Sequence, residues 1–307
     1  NEDQLRENSI KYGFTYVVDA FHNVAKFEGF SSAAINTGQS QSVLSSHVKQ
    51  LEETYDIQLF KREKRQVLLT PVGRDLYLLT KKFFDIQDQI SNHLFQSSAS
   101  VSGKLRIVVD SAVHVLKPLL KFRKMYPNIL IDLDVGNSSK VIDTLRSYSA
   151  DIGVVGSPTI GSDLESRPIG TSKIQAVASR TYFKKLPKSL TFRELKNLPL
   201  IFREEGSHTR EKLVKKASLE GVKLSSIIEV SGREALHELV AQGLGVGFVS
   251  QAEISRDQRL VAIEIASGDI QMTERLIYLR ARRDVPIVRA FLKVAKSLNN
   301  HVKHKSI

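Results

Sequence analysis

The 307-residue chain has no cysteine, no tryptophan and only 2 methionines. Without cysteine there are no disulfides, no thiolate metal sites and no cysteine nucleophile, a composition that suits a reducing compartment. No apolar run approaches the roughly 18 residues that a membrane-spanning helix needs. The polar opening Asn1-Glu2-Asp3-Gln4 does not read as a signal peptide, so a cytoplasmic protein without membrane contact is expected, numbered after a removed initiator Met. Sequence signatures of catalysis are also missing: HExxH, GxSxG and GxxxxGK[ST] do not occur. Gly243-Leu244-Gly245 precedes an expected strand, whereas a dinucleotide loop would follow one. The eight histidines are scattered, and the one close pair on a helix face, His301 and His304, lies in the tail. A metabolite enzyme has little support from these residues, and no cofactor is implied.

Hydrophobic residues make up 41% of the chain and charged residues 25%, which is ordinary for a multi-domain globular protein. A net charge of +12 invites the inference of nucleic-acid binding, but its distribution argues against so direct a step. Residues 1–95 hold 11 Lys and Arg against 12 Asp and Glu, so the excess lies wholly in the remainder. Any DNA affinity of the first part must come from local placement of cations. An anionic small molecule, a second DNA contact or solubility would each account for the basic remainder.

The most distinctive stretch is Gly29–Glu52, which reads as two short helices joined by a tight turn. Ser31 or Ser32 is a suitable N-cap for a helix carrying Ala33, Ala34 and Ile35, and Gly38 supplies the freedom to end it. In the second helix Val43, Leu44, Val48 and Leu51 recur at helical spacing, leaving Ser42, Ser45, Ser46, His47 and Lys49 on the polar surface. Small hydroxyl and amide side chains let such a helix enter a major groove, whereas the plain alternative is a solvated amphipathic helix. Downstream, Leu59-Phe60-Lys61-Arg62, the charged run Lys61–Arg65 and Val67-Leu68-Leu69 suggest a two-stranded wing with a basic tip along phosphates. Thr70 and Pro71 then read as N-cap and first residue of another helix.

Phe21 to Gly73 resembles the winged helix-turn-helix of the LysR-type transcriptional regulators. The resemblance rests on Ala33-Ala34, Ser40-Gln41, Ser45, Leu51-Glu52, Leu59-Phe60-Lys61-Arg62 and Leu69-Thr70-Pro71-Val72-Gly73, in the family's order. Thr37 stands where the family usually has Leu, and Ser42 replaces a common Pro. The expected DNA-contacting residues are Ser31, Ser32, Ser40, Gln41, Ser42, Ser45, Ser46, Lys49, Lys61, Arg62, Lys64 and Arg65.

Residues 74–98 carry Leu76, Leu79, Phe83, Ile86, Ile90 and Leu94 in steps of three and four, a stripe suited either to a partner helix or to the helix's own domain. The resemblance implies a linker helix pairing with its twofold mate, and Ser97–Gly103 reads as a hinge. From Lys104 short β-rich runs alternate with helices, as in an α/β sheet. Strands are expected at 105–109, 129–135 and 150–155, then around 174–178, 200–202, 227–230 and 245–249, with 275–279 returning to the first unit and a helix over 285–298.

The whole is therefore expected to be a multi-domain α+β chain. A winged helix-turn-helix (1–73) and linker helix (74–97) precede a two-lobed effector domain (98–307) similar to periplasmic binding proteins. Lobe I would take about 104–166 and 268–307, and lobe II about 167–267. Ligands of such domains bind at the carboxyl ends of strands. This rule selects Ser111 and Ala112, Asn137, Ser138 and Ser139, the loop Arg203 to Arg210 with Gly206, Ser207, His208 and Thr209, and finally Ser231 and Arg233. Hydroxyls, guanidinium groups and a glycine turn suit a carboxylate, sulfate, phosphate or phosphonate. The plainer alternatives are Ser207 as an N-cap with Arg210 solvated, and Arg233 in a salt bridge. The Gly-Ser-x-Thr-Arg and Gly-Arg-Glu-Ala runs resemble those of family members responding to phosphonates such as 2-aminoethylphosphonate.

The function so implied is sequence-specific regulation of transcription at a double-stranded operator by an effector-switched homo-oligomer, a dimer or a dimer of dimers, with RNA polymerase a further partner. A solute sensor acting through protein contacts is the alternative, though it leaves the basic wing without a role.

Overall fold

The computed structural model describes residues 2–63, 66–94, 101, 103–156, 159–254, 257–266 and 270–303. Two compact units emerge, 1–99 and 100–307.

In the first unit, helices α1 (Glu2–Lys26), α2 (Phe30–Thr37) and α3 (Gln41–Tyr55) precede a hairpin of β1 (Phe60–Glu63) and β2 (Gln66–Leu69) and the long helix α4 (Pro71–Leu94). Phe21, Val24, Ala33, Leu44, Val48, Leu51 and Leu59 form its buried core. Gly38 ends α2 with φ of 71°, its N–H donating to the Ala34 carbonyl, a left-handed conformation that favours glycine. The Ser40 hydroxyl caps α3 by accepting from the Val43 N–H at 3.2 Å. Two expectations are corrected here. Gly29 occupies the N-cap of α2, so Ser31 and Ser32 lie inside its first turn. Val43 is exposed, because the core-facing stripe of α3 is only wide enough for Leu44, Val48 and Leu51. Helix α4 starts at Pro71, as Thr70 and Pro71 predict, and runs on past residue 73 without a break.

The second unit is built on an eight-stranded sheet. Its strands are β3 (Lys104–Val109), β4 (Leu130–Val135), β5 (Ile152–Gly156), β6 (Leu164–Ser179), β7 (Ser189–Leu190), β10 (Gly247–Ser250), β11 (Leu260–Ile265) and β12 (Gln271–Leu279). Helices α5 (Leu116–Met125), α6 (Ser138–Arg146), α7 (Phe192–Leu195), α8 (His208–Leu219), α9 (Arg233–Ala241) and α10 (Pro286–Lys303) pack around it. The parallel pair β8 (Ile201–Arg203) and β9 (Ile228–Val230) lies apart.

The strand order is β4-β3-β5-β12-β6-β11-β7, with β10 also on β6. Strands β4, β3 and β5 are parallel, which brings the loops after Val109, Val135 and Gly156 to one end. Residue 167, about which the second lobe is expected to begin, falls inside β6. This 16-residue strand pairs with β12 over its first half and with β10 and β11 over its second, so it serves both lobes. Strand β12 does the same: Met272 belongs to a core with Phe192, Leu200 and Phe248, and Leu276 to one with Phe122, Ile152 and Phe291.

Candidate functional site

The first unit offers a polar helix beside a hairpin. Along α3, Gln41, Ser42, Ser46 and Lys49 are exposed and Ser45 is half-buried. Ser40 and Ser42 share a hydrogen bond of 2.9 Å, and Ser31 donates to Gln41 Oε1 at 3.1 Å, tying α2 to the start of α3. Ser32 is exposed in α2, and its carbonyl accepts from the Asn36 side chain. Lys61 is exposed on β1, while Lys64 and Arg65 lie outside the described residues, as does the Arg62 side chain.

What holds the hairpin against α3 is a set of short-range bonds. One Glu52 carboxylate oxygen accepts from the Leu59 N–H at 2.7 Å and the Phe60 N–H at 3.2 Å. Thr70 Oγ1 donates to the Gln58 carbonyl at 2.7 Å and accepts from the Gly73 N–H at 3.0 Å, capping α4. At Gly73 a β-carbon would lie 2.2 Å from the Leu59 carbonyl oxygen, so only glycine fits.

In the second unit the expected loops converge across a cleft between the lobes. The Asn137 amide donates to the Glu205 carbonyl at 3.3 Å, and a Gly206 β-carbon would lie 2.8 Å from Ser139 Oγ. His208 Nδ1 stands 2.6 Å from the Gly156 carbonyl, and Arg233 Nη1 donates to the Asp110 carbonyl at 2.6 Å. Ser111, Ser138 and Ser207 are buried at the starts of a 3-10 turn, α6 and α8, and among the described residues their hydroxyls have no hydrogen-bond partner. Ala112 and Thr209 are half-buried beside them, whereas Ser231 is exposed.

Comparison with known proteins places both units. The family model of the bacterial regulatory helix-turn-helix protein, lysR family, matches residues 17–74, and that of the LysR substrate binding domain matches 98–299. The chain belongs to the LysR family. It is thus a DNA-binding transcriptional regulator with a small-molecule effector domain. The HTH-type transcriptional regulator CysL of Bacillus subtilis is 28% identical over 244 residues, covering 78% of this chain and 82% of that protein. Among solved structures, a full-length OxyR variant from Pseudomonas aeruginosa shares the fold with a TM-score of 0.73 at 19% identity, over 92% of this chain and 93% of that one. The regulatory domain of Synechocystis CcmR, solved in complex with 2-PG, aligns with a TM-score of 0.58 at 22% identity, over 64% of this chain and 97% of its own.

Within the LysR framework, three expected guanidinium donors prove to be engaged already. Arg203 forms a bidentate pair with Glu204 at 2.7 and 2.6 Å. Arg210 bonds the Arg203 carbonyl at 2.9 Å and Glu229 at 2.8 Å, and faces an open groove lined by Phe202, Val214, Leu219 and Leu224. Arg233 pairs with Glu253 at 2.7 Å, so the plainer salt-bridge alternative holds for it. Ser207 occupies the N-cap position of α8 without capping it through its side chain, and the helix begins at His208. Ser138 and Ser139 likewise open α6, where Asn137 accepts from the Lys140 N–H at 2.9 Å.

Sequence reasoning gave the carboxylates no role. Glu204 accepts from the Gly232 N–H at 3.2 Å, filling the start of α9 with a resident charge. Asp110, His114, Arg233, Glu253 and Glu274 form a cluster where the lobes meet, with His114 Nε2 at 3.0 Å from Glu253 and 3.4 Å from Glu274. Burial, then repulsion from Asp110, pushes the Glu274 carboxyl up to about 8. Burial likewise raises Asp110, against the pull of the Gly156 N–H and Arg233. Burial would lower His114, but its bond to Glu253 and the nearby carboxylates raise it; burial would raise Glu253, but His114 and Arg233 hold it low. Glu274 did leave one trace in the sequence. The inward alternation Met272, Leu276, Tyr278 along β12 places it on the buried face.

Proposed function

We propose that this regulator reads its operator with α3 and the β1–β2 wing, and is switched by a small anion held between the lobes of the second unit. The observation that carries the effector reading is the set of three hydroxyls without a hydrogen-bond partner among the described residues, those of the largely buried Ser111, Ser138 and Ser207, on loops already bridged across the cleft. Hydroxyls that no protein group engages are free to donate to a ligand's acceptor oxygens. Helices α6 and α8 point their free N–H groups to the same place, and such N-termini favour negative charge. Because the arginines are paired internally, the charge of a carboxylate, sulfate, phosphate or phosphonate would be met by these dipoles and hydroxyls. The CcmR regulatory domain, solved with 2-PG, supports a ligand in this domain.

Ligand shifts the regulator only through its differential affinity for two arrangements of the oligomer. The exposed apolar residues Leu79, Phe83, Ile86, Ile90 and Leu94 along α4 support a homodimer, or a dimer of dimers, formed through this helix. Two recognition helices multiply specificity over one, and RNA polymerase would be the downstream partner. Among the described residues no helix is long and apolar enough to cross a membrane, and the reading places the protein in the cytoplasm.

Isothermal calorimetry of the full chain with acetate, sulfate, phosphate and methylphosphonate tests the site, read beside Ser207→Val. At least one anion is expected to bind the wild type and to lose about tenfold or more in affinity in the variant, as one charge-assisted hydrogen bond implies. Binding unchanged by Ser207→Val would remove this loop from the site.

A further inference from the structure

The start of the recognition helix carries a specificity device. Gln41 is the first residue of α3, and its amide oxygen accepts a hydrogen bond from Ser31 Oγ of α2 at 3.1 Å. The amide is planar, with oxygen and nitrogen at opposite corners, so pinning the oxygen toward α2 turns the nitrogen away from it. Among the described residues that nitrogen donates to nothing, and the side chain is exposed. The neighbouring hydroxyls are occupied with each other: Ser40 accepts from the Val43 N–H and shares a hydrogen bond with Ser42. What this corner presents is therefore a pair of amide N–H donors.

We propose that Ser31 is a positioning residue for DNA readout, which makes Gln41 a selector of keto bases, guanine or thymine, over the amino bases adenine and cytosine. The proposal rests on the reading of α3 as the helix that enters the groove. In the major groove guanine shows the acceptors N7 and O6 and thymine shows O4, whereas adenine and cytosine place an amino donor there. A glutamine free to rotate pairs with adenine through both ends of its amide, its oxygen taking the N6 proton and its nitrogen giving to N7. With the oxygen committed to Ser31, the adenine or cytosine amino group meets a second N–H instead. Ser31 thus acts on base choice from the preceding helix, without touching a base.

The test is selection from duplexes randomised over a half-site, using the full chain as wild type, Gln41→Ala, Ser31→Ala and Ser31→Thr. Gln41→Ala identifies the position that this side chain reads by flattening its base preference. At that position the wild type is expected to favour guanine or thymine, Ser31→Ala to shift preference toward adenine by about fivefold or more, and Ser31→Thr, which keeps the hydroxyl, to retain the wild-type choice. Both Ser31 and Gln41 are exposed, so thermal stability should not move with them. A wild-type preference for adenine or cytosine at that position overturns the proposal, as does a Ser31→Ala profile identical to wild type. A Gln41→Ala profile identical to wild type at every position overturns the recognition-helix reading along with it.

Discussion

Replacing Glu274 with Gln should stabilise the second unit at neutral and alkaline pH while leaving it nearly unchanged in acid. Glu274 is 3% exposed, its Oε2 is buried with no hydrogen-bond partner among the described residues, and it shares its surroundings with Asp110, Glu253, His114 and Arg233. Three carboxylates thus face two cations, and the group that stays protonated is Glu274, at about 8 against an ordinary 4.5. In the folded chain the carboxyl keeps its proton to about pH 8, whereas in the unfolded chain it ionises near 4.5. Unfolding therefore releases a proton between these values, and stability falls as the pH rises through that window. The raised Asp110 and His114 act in the same direction. Each unit of separation corresponds to about 1.4 kcal/mol, so at pH 7 the loss from Glu274 is about 3 kcal/mol relative to acid. For a unit of this size that corresponds to roughly 6–12 °C in melting temperature. Glutamine has the shape of the neutral acid and cannot ionise. Scanning calorimetry from pH 5 to pH 8 should show the wild-type transition moving down more steeply than the variant's, their separation opening with pH. A wild-type transition that is flat or rises over this range, with the variant tracking it, would refute the charge assignment.

Two further outcomes follow from the first unit. Gly73→Ala gains about 1 kcal/mol of helix propensity, but its β-carbon would meet the Leu59 carbonyl at 2.2 Å, backbone that cannot give way. A net loss of about 1–3 kcal/mol is expected by thermal unfolding, and an unchanged melting temperature would contradict it. Ile86→Glu, which places a charge in the exposed stripe of α4, should reduce the oligomer to smaller species in sedimentation while the circular dichroism stays that of a folded chain. Persistence of the wild-type sedimentation coefficient would move the dimer contact elsewhere.

The stripe on α4 shows how far periodicity reaches. Spacing alone grouped Leu76 with Leu79, Phe83, Ile86, Ile90 and Leu94. The fold divides them: Leu76, with Tyr77 and Phe84, packs on the core of its own unit, and the others face outward. A helix with two apolar faces produces one blurred signal along the chain, and only packing separates them. Strand β6 shows a different limit, since a single 16-residue strand shared by two lobes looks in sequence like an isolated strand near 174–178 beside an irregular stretch.

What the sequence determined by itself was the DNA-binding unit, down to individual motif residues. Gly38, Ser40, Glu52, Thr70 and Gly73 act through caps, turns and bonds to residues close along the chain, and local geometry leaves its mark on local sequence. The order of α/β elements was legible for the same reason. Only the tertiary structure decided the state of the cleft: that Arg203, Arg210 and Arg233 are neutralised by Glu204, Glu229 and Glu253, and that His114 meets a glutamate 139 residues away. Coulomb energy depends on distance in space and on burial, neither of which a linear spacing encodes. The residue types were therefore visible from the start, but which of them are free to meet a ligand became visible only when the chain was folded.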